Sequence, residues 1–160
     1  MTGRYMERRS PNQGSRRGAT VDTIVLHATG GTSFVGAVRW LCDPASRVSA
    51  HFVIGKKGEL AKLVPLSRAA YHAGRSRLPD GSGGVNRRSI GIELVNRNDG
   101  DDPYPLAQLS RLETLLAELM RAFPIRWLVS HASIALPAGR KTDPRGLDVQ
   151  ALARELGLDG

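Results

Sequence analysis

Apolar positions along the chain follow two periods. Short unbroken apolar runs at 21–26, 51–54, 60–64, 89–95 and 127–131 predict strands, several of them fit for burial on both faces. Apolar residues at helical spacing predict helices over 34–41, from Pro103 or Pro105 to Phe123, and over 149–156. Ser33 and Asp148 stand where they would cap the first and last of these helices. Val35, Val38, Leu41 and Cys42 make the apolar face of the first. In the long helix Leu109, Leu112, Leu115, Leu116, Leu119, Met120 and Phe123 form a continuous stripe that reads as core. Lys56-Lys57-Gly58 turns the second strand into the third as a hairpin, with Gly58 placed for a positive φ angle.

Strands and helices that alternate around one hairpin predict an α/β fold: a single domain with a central mixed β-sheet flanked by helices. The length of 160 residues suits one domain. Residues 1–20, with Arg4, Arg8, Arg9, Arg16 and Arg17, read as a basic N-terminal arm lying on the surface or partly disordered. Residues 21–160 read as the folded domain. The stretch 75–88 is rich in Gly, Ser and Arg and has no periodicity. A loop of that length is either functional or a tolerated surface insertion.

Three strand signals carry groups unsuited to a plain core. His27 follows the first apolar run and His131 ends the last. A loop broken by Pro137 and Gly139 then delivers Lys141 and Asp143. Ligands in sheets of this kind gather at strand ends, and imidazole and carboxylate are ordinary zinc ligands. Each residue also has a plain structural use. A histidine after a strand often only hydrogen-bonds, and Asp143 before Pro144 can start a turn. No local metal motif such as H-E-x-x-H is present. Glu93 interrupts the run 89–95. It is either a buried carboxylate that must be paired, liganded or protonated, or an edge residue facing solvent.

Composition narrows the partners. Cys42 is the one cysteine, so no intrachain disulfide forms, and its apolar neighbours suggest a small buried hydrophobe. No apolar run is long enough for a membrane span, and no apolar segment follows the N-terminal arginines as a secretory signal requires. The expectation is synthesis in the cytoplasm. The formal charge of +8 favours an anionic partner. With only 5% aromatic residues and no basic stripe interleaved with them, nucleic acid is not required as that partner.

Five pieces in order then resemble a known family: I-V-L-H-A-T at 24–29, S-A-H-F-V-I at 49–54, A-A-Y-H-A-G at 69–74, N-R-R-S-I-G-I-E-L at 86–94, and S-H…G-R-K-T-D-P at 130–144. They look like the zinc-dependent N-acetylmuramoyl-L-alanine amidases of the AmpD, phage-lysozyme and peptidoglycan-recognition-protein superfamily. The resemblance implies His27, His131 and Asp143 as ligands of a zinc ion (Zn2+) at the strand ends. It implies Glu93 as the catalytic carboxylate, Lys141 as the lysine beside the third ligand, and Tyr71 and His72 as substrate-groove residues. Ala50 stands where phage-lysozyme relatives carry a tyrosine, which aligns the chain with the AmpD-like branch and leaves Glu93 as the base. Two histidines and a carboxylate would leave the fourth position open for water. His51 reads as a residue that is structural or orients a ligand, and sequence alone also allows His72 in place of His27.

The activity implied is zinc-dependent hydrolysis of the amide joining N-acetylmuramic acid to L-alanine, in peptidoglycan or soluble muropeptides, by a monomer. Small size and basic charge fit an endolysin-like role, in which a release partner gives access to the wall; muropeptide recycling is the other role. Two alternatives of different class are a non-catalytic peptidoglycan-binding module of the same fold and a basic nucleic-acid-binding domain.

Overall fold

The computed structural model describes residues 3–160. Its strands are β1 (Met6–Glu7), β2 (Gln13–Ser15), β3 (Thr23–Ala28), β4 (Phe52–Ile54), β5 (Leu60–Lys62), β6 (Arg68–Ala70), β7 (Ser89–Leu94) and β8 (Trp127–Ser130). Its α-helices are α1 (Phe34–Leu41), α2 (Val85–Arg88), α3 (Leu106–Ala122), α4 (His131–Ile134) and α5 (Val149–Glu155). Six strands form one sheet in the order β1-β5-β4-β7-β3-β8, and β2 pairs with β6 in a separate two-stranded sheet. The four strands β4, β7, β3 and β8 run parallel, while β5 returns antiparallel to β4. This is the mixed sheet the alternation predicts. The hairpin turns where expected, with Gly58 at φ +80°. A Cβ there would also sit 2.9 Å from the Ala107 carbonyl oxygen.

Alternation along the strands separates two functions. On one face, Ile24 and Leu26 of β3, Ile90, Ile92 and Leu94 of β7, Phe52 and Ile54 of β4 and Leu128 of β8 form the main core. Leu112, Leu115, Leu116 and Leu119 of α3 and Val149 and Ala153 of α5 close it. Each such Leu or Ile contributes about 1.5–3 kcal/mol by leaving water, which is what holds α3 against the sheet. The intervening residues point to the other face. There Val25, Trp127 and Val129 pack with Ala73, Leu78, Val85 and Ile134, and His27, Gly91 and Glu93 share the same side by strand alternation.

Several details depart from the sequence reading. The first strand runs two residues further than expected, so His27 lies inside β3 rather than after it. His131 opens α4, whose N-cap is Ser130. Val35 is 60% exposed, so the buried face of α1 is Val38 and Leu41. Cys42 is only part-buried, because α1 ends at the surface and its thiol points toward the Arg8 carbonyl. The stretch 75–88 is anchored by buried Leu78 and Val85 and ends in α2.

From residue 3 onward the basic arm lies on the domain, held by strand pairing. β1 extends the sheet beside β5, and β2 pairs with β6. Arg16 is buried and donates to the carbonyls of Leu66, Arg87 and Ser89 at 2.8–2.9 Å. Burial lowers its pKa to about 10, which leaves it charged at neutral pH. Among the described residues, no helix is long and apolar enough to cross a membrane.

Candidate metal centre and its groove

Parallel pairing decides which side chains meet. β3, β7 and β8 end on one edge of the sheet, and His27 is in register with Glu93 while Leu26 is in register with Ser130. His131 therefore follows one step beyond β8, level with His27. The loop after α4 brings Asp143 to the same point, tied there by Ala132 N–H donating to the Asp143 carbonyl at 2.9 Å. Asn98 braces this loop from the other side. Its amide donates to Thr142 Oγ1 at 3.0 Å, and its oxygen accepts from Arg145 N–H at 2.7 Å.

The three expected donors converge. His27 Nδ1 and His131 Nδ1 are 3.1 Å apart, and Asp143 oxygens lie 3.4 Å and 3.3 Å from them. All three residues are buried. The outer nitrogen of His131, Nε2, is 3.1 Å from the Ala73 carbonyl, which can only accept. In the neutral ring the proton is therefore on Nε2 and the Nδ1 lone pair faces the cluster. His27 Nε2 is 2.9 Å from His72 Nδ1.

The cluster fits a zinc ion on its own distances. A tetrahedral ion with ligand bonds of about 2.0–2.1 Å has ligand–ligand edges of about 3.3–3.4 Å, and the three measured edges lie close to that. Electron-pair donors at such spacing repel one another unless a cation lies between them. Burial, opposed by the hydrogen bond and charge of Asp143, lowers His27 to about 4, so it is a neutral donor at physiological pH. For Asp143, burial works upward, but its close contacts with His131 and His27 outweigh it and hold the carboxyl well below the usual carboxylate range.

Glu93 stands next to the cluster without joining it. Its Oε1 is 4.0 Å from His27 Nδ1, its side chain is 15% exposed, and its buried Oε2 has no hydrogen-bond partner. Burial first, then the Asp143 charge, push the carboxyl up to about 8 against the pull of Lys141. Of the two readings of Glu93, the solvent-facing edge residue is excluded. A cation at the neighbouring donors would reverse part of this shift.

A groove of about 720 Å³ opens over these residues. Lys141 is exposed in its wall, as is Tyr71 at 40% exposure. Trp40 of α1 also lines it at 58% exposure. Sequence reasoning missed Trp40, although its place off the Val38–Leu41 face was a usable signal. Asn98 was missed as well; its positive φ of 60° in an Asn-rich turn is apparent only in the fold.

His72 lines the groove as well, at its buried side. It is 9% exposed and lies beneath His27, with Nδ1 on His27 and Nε2 2.9 Å from Ser89 Oγ. Both ring nitrogens are thus engaged within the protein. His51 lies further in and is structural. Its Nδ1 accepts from Gly91 N–H at 3.1 Å and its Nε2 donates to the Arg68 carbonyl at 2.9 Å.

The sequence profile of the N-acetylmuramoyl-L-alanine amidases matches residues 17–146. The chain belongs to that amidase family. Among amidase relatives, 1,6-anhydro-N-acetylmuramyl-L-alanine amidase AmpD of Escherichia coli (strain K12) is 38% identical over 102 residues, 61% of this chain and 52% of the relative. N-acetylmuramoyl-L-alanine amidase XlyA of Bacillus subtilis (strain 168) is 38% identical over 101 residues, 59% of this chain and 32% of the relative. The matches thus span about half of the one relative's length and a third of the other's. Among solved amidases, the E. coli N-acetylmuramyl-L-alanine amidase AmiD superposes with a TM-score of 0.74 at 27% identity, over 96% of this chain and 62% of that one. It was solved with the substrate anhydro-N-acetylmuramic acid-L-Ala-D-gamma-Glu-L-Lys.

Proposed function

We propose that this chain hydrolyses the amide bond between N-acetylmuramic acid and L-alanine, using a zinc ion held by His27, His131 and Asp143. The observation that carries this reading is the convergence of these three donors, at tetrahedral edge lengths, beside a carboxylate with one buried oxygen that has no hydrogen-bond partner, in a chain of the amidase family. Zinc in such a set acts as a Lewis acid and brings the pKa of a water to about 7.

The remaining roles fall to the protein's own groups. The Glu93 carboxylate takes a proton from the attacking water and returns it to the leaving amine of L-alanine. Its apolar burial and missing partner leave Oε2 free for that transfer. The Lys141 ammonium, exposed in the groove wall, faces the negative charge that develops on the scissile carbonyl oxygen. Trp40 and Tyr71 supply flat apolar surface on which a sugar or peptide can rest.

The substrate class proposed is a muramyl peptide, the class present in the AmiD complex. The formal charge of +8 favours the anionic intact wall over small soluble fragments. On this reading the protein is made in the cytoplasm and reaches the wall through a release partner.

Product analysis tests the proposal. Purified sacculi are incubated with zinc-loaded protein and with a chelated control, and new L-alanine amino termini are assayed against new reducing sugar ends. Zinc-dependent release of L-alanine termini alone is the expected result. Reducing ends without amino termini would overturn the amidase reading. Cleavage of soluble anhydro-muropeptides but not sacculi would move the role to recycling.

A further inference from the structure

Two consecutive residues reach both imidazole donors from outside. The ring of His72 meets His27 Nε2 through its Nδ1 at 2.9 Å. The carbonyl of Ala73 meets His131 Nε2 at 3.1 Å. A single side chain pins this dipeptide: Asn86 Oδ1 accepts from His72 N–H at 3.2 Å and from Ala73 N–H at 2.9 Å. Asn86 belongs to α2, which stands immediately before β7, the strand that carries Glu93.

We propose that His72–Ala73, held by Asn86, is a positioning clamp that sets the orientation and tautomer of both metal-binding histidines. This rests on the zinc reading above and extends it to residues outside the donor set. His72 acts here as a positioning residue, through its contact with His27.

The two arms of the clamp differ in kind. Ala73 presents a carbonyl, which fixes a proton on His131 Nε2 whatever the conditions. His72 presents an imidazole. To leave the His27 Nδ1 lone pair facing the cluster, His27 must keep its proton on Nε2 and donate it to His72 Nδ1. His72 then carries its own proton on Nε2 and donates to Ser89 Oγ, 2.9 Å away. The His27 and His72 ring centroids are 5.0 Å apart with their planes at 86°, so the rings are not stacked and meet through their nitrogens. The polar chain His27–His72–Ser89 is buried throughout, so water is not at hand to replace a missing member.

The backbone beneath is shaped for this ring. Gly91 lies under His72, and a Cβ there would be 2.5 Å from His72 Cγ. Any other residue at position 91 displaces the ring. Local sequence pattern does not explain a glycine in the middle of a buried strand, which costs conformational entropy; the ring packed on it does.

The test measures metal binding and its spectrum. Zinc is titrated against a chromophoric chelator, and cobalt(II) is substituted to read d–d absorption, with far-UV circular dichroism as a check on folding. His72→Ala is expected to weaken zinc binding about 10–100-fold, the usual effect of removing an outer partner of a ligand histidine, and to alter the cobalt spectrum. His72→Gln, which can still accept from His27, is expected to recover part of both. Asn86→Ala, which touches neither ring, is expected to weaken binding, and Asn86→Asp, which keeps the acceptor, to spare it. Asp143→Ala is the control for loss of a donor. If Asp143→Ala loses zinc while His72→Ala and Asn86→Ala bind it with wild-type affinity and spectrum, the clamp is overturned and the zinc reading stands. If the wild-type protein itself fails to bind zinc, both fall.

Discussion

Glu93 lies directly opposite His27 on the neighbouring parallel strand, with its Oε1 4.0 Å from His27 Nδ1. Strand register alone thus places a carboxylate beside a candidate metal donor, with no loop needed to position it. Glu93→Gln keeps the size and removes the basicity. It is expected to lower kcat by about 10²–10⁴-fold, the contribution of a positioned general base, with zinc content unchanged. Single-turnover hydrolysis of a muramyl peptide and metal analysis of the same sample check this. Loss of zinc from the variant would instead make Glu93 a ligand.

Lys141 is exposed, so its removal should cost little stability. Lys141→Ala is expected to reduce kcat by about 10²–10³-fold, the scale for one group that stabilises a developing oxyanion, with KM changed only a few-fold. Steady-state kinetics separates the two. A rise in KM at constant kcat would show that Lys141 binds substrate in the ground state.

Acid should unfold the metal-free protein through its buried histidines. Burial holds His27 near about 4 and His51 near about 3 against the ordinary value of 6.5. In the window between these values the unfolded chain binds protons that the folded chain does not. Stability is therefore fully present above pH 6.5 and declines as pH falls, by about 1.4 kcal/mol per pH unit for each histidine that stays neutral. Glu93 works in the opposite sense, since its raised value favours the folded state below about 4.5 and loses that contribution as pH rises through about 8. Urea midpoints of chelated protein at pH 4.5, 5.5 and 6.5 read the histidine slope. Repeating the series in Glu93→Gln removes the opposing carboxyl, and a flat profile there would show that the rings are not neutral in the fold.

Ile92 sits between Gly91 and Glu93 in sequence but packs on the opposite face, against α3. Ile92→Val is expected to cost about 0.5–1.5 kcal/mol and Ile92→Ala about 2–5 kcal/mol, with zinc affinity unaltered. Chemical denaturation together with chelator competition checks both parts. A parallel fall in zinc affinity at constant fold would show that the two faces are mechanically linked.

The residues legible in the sequence share one property. His27, Glu93 and His131 interrupt or end apolar runs, and a polar group in a buried strand is conspicuous because burial is costly without a partner. The long apolar stripe of α3 was readable for the same reason in reverse. What was hidden depends on contacts between distant segments. Nothing near His72 shows that its ring packs against His27, because that is decided by the space over Gly91. The strands β1, β2 and β6 have two or three residues each, too few to show an alternation. α4 is a single turn whose start at His131 follows from the Ser130 cap.

Arg16 bears on how this protein can be cut and fused. A fragment begun at residue 21 removes the guanidinium that serves the carbonyls of Leu66, Arg87 and Ser89. Each buried acceptor left without a donor costs about 1–3 kcal/mol. Such a fragment also lacks Ser10 and Asn12, whose side chains hold the Leu41, Asp43 and Val48 carbonyls around the end of α1. A tag, linker or partner domain is therefore best joined ahead of Met6. A fusion that trims the arginine-rich segment as dispensable would discard part of the interior.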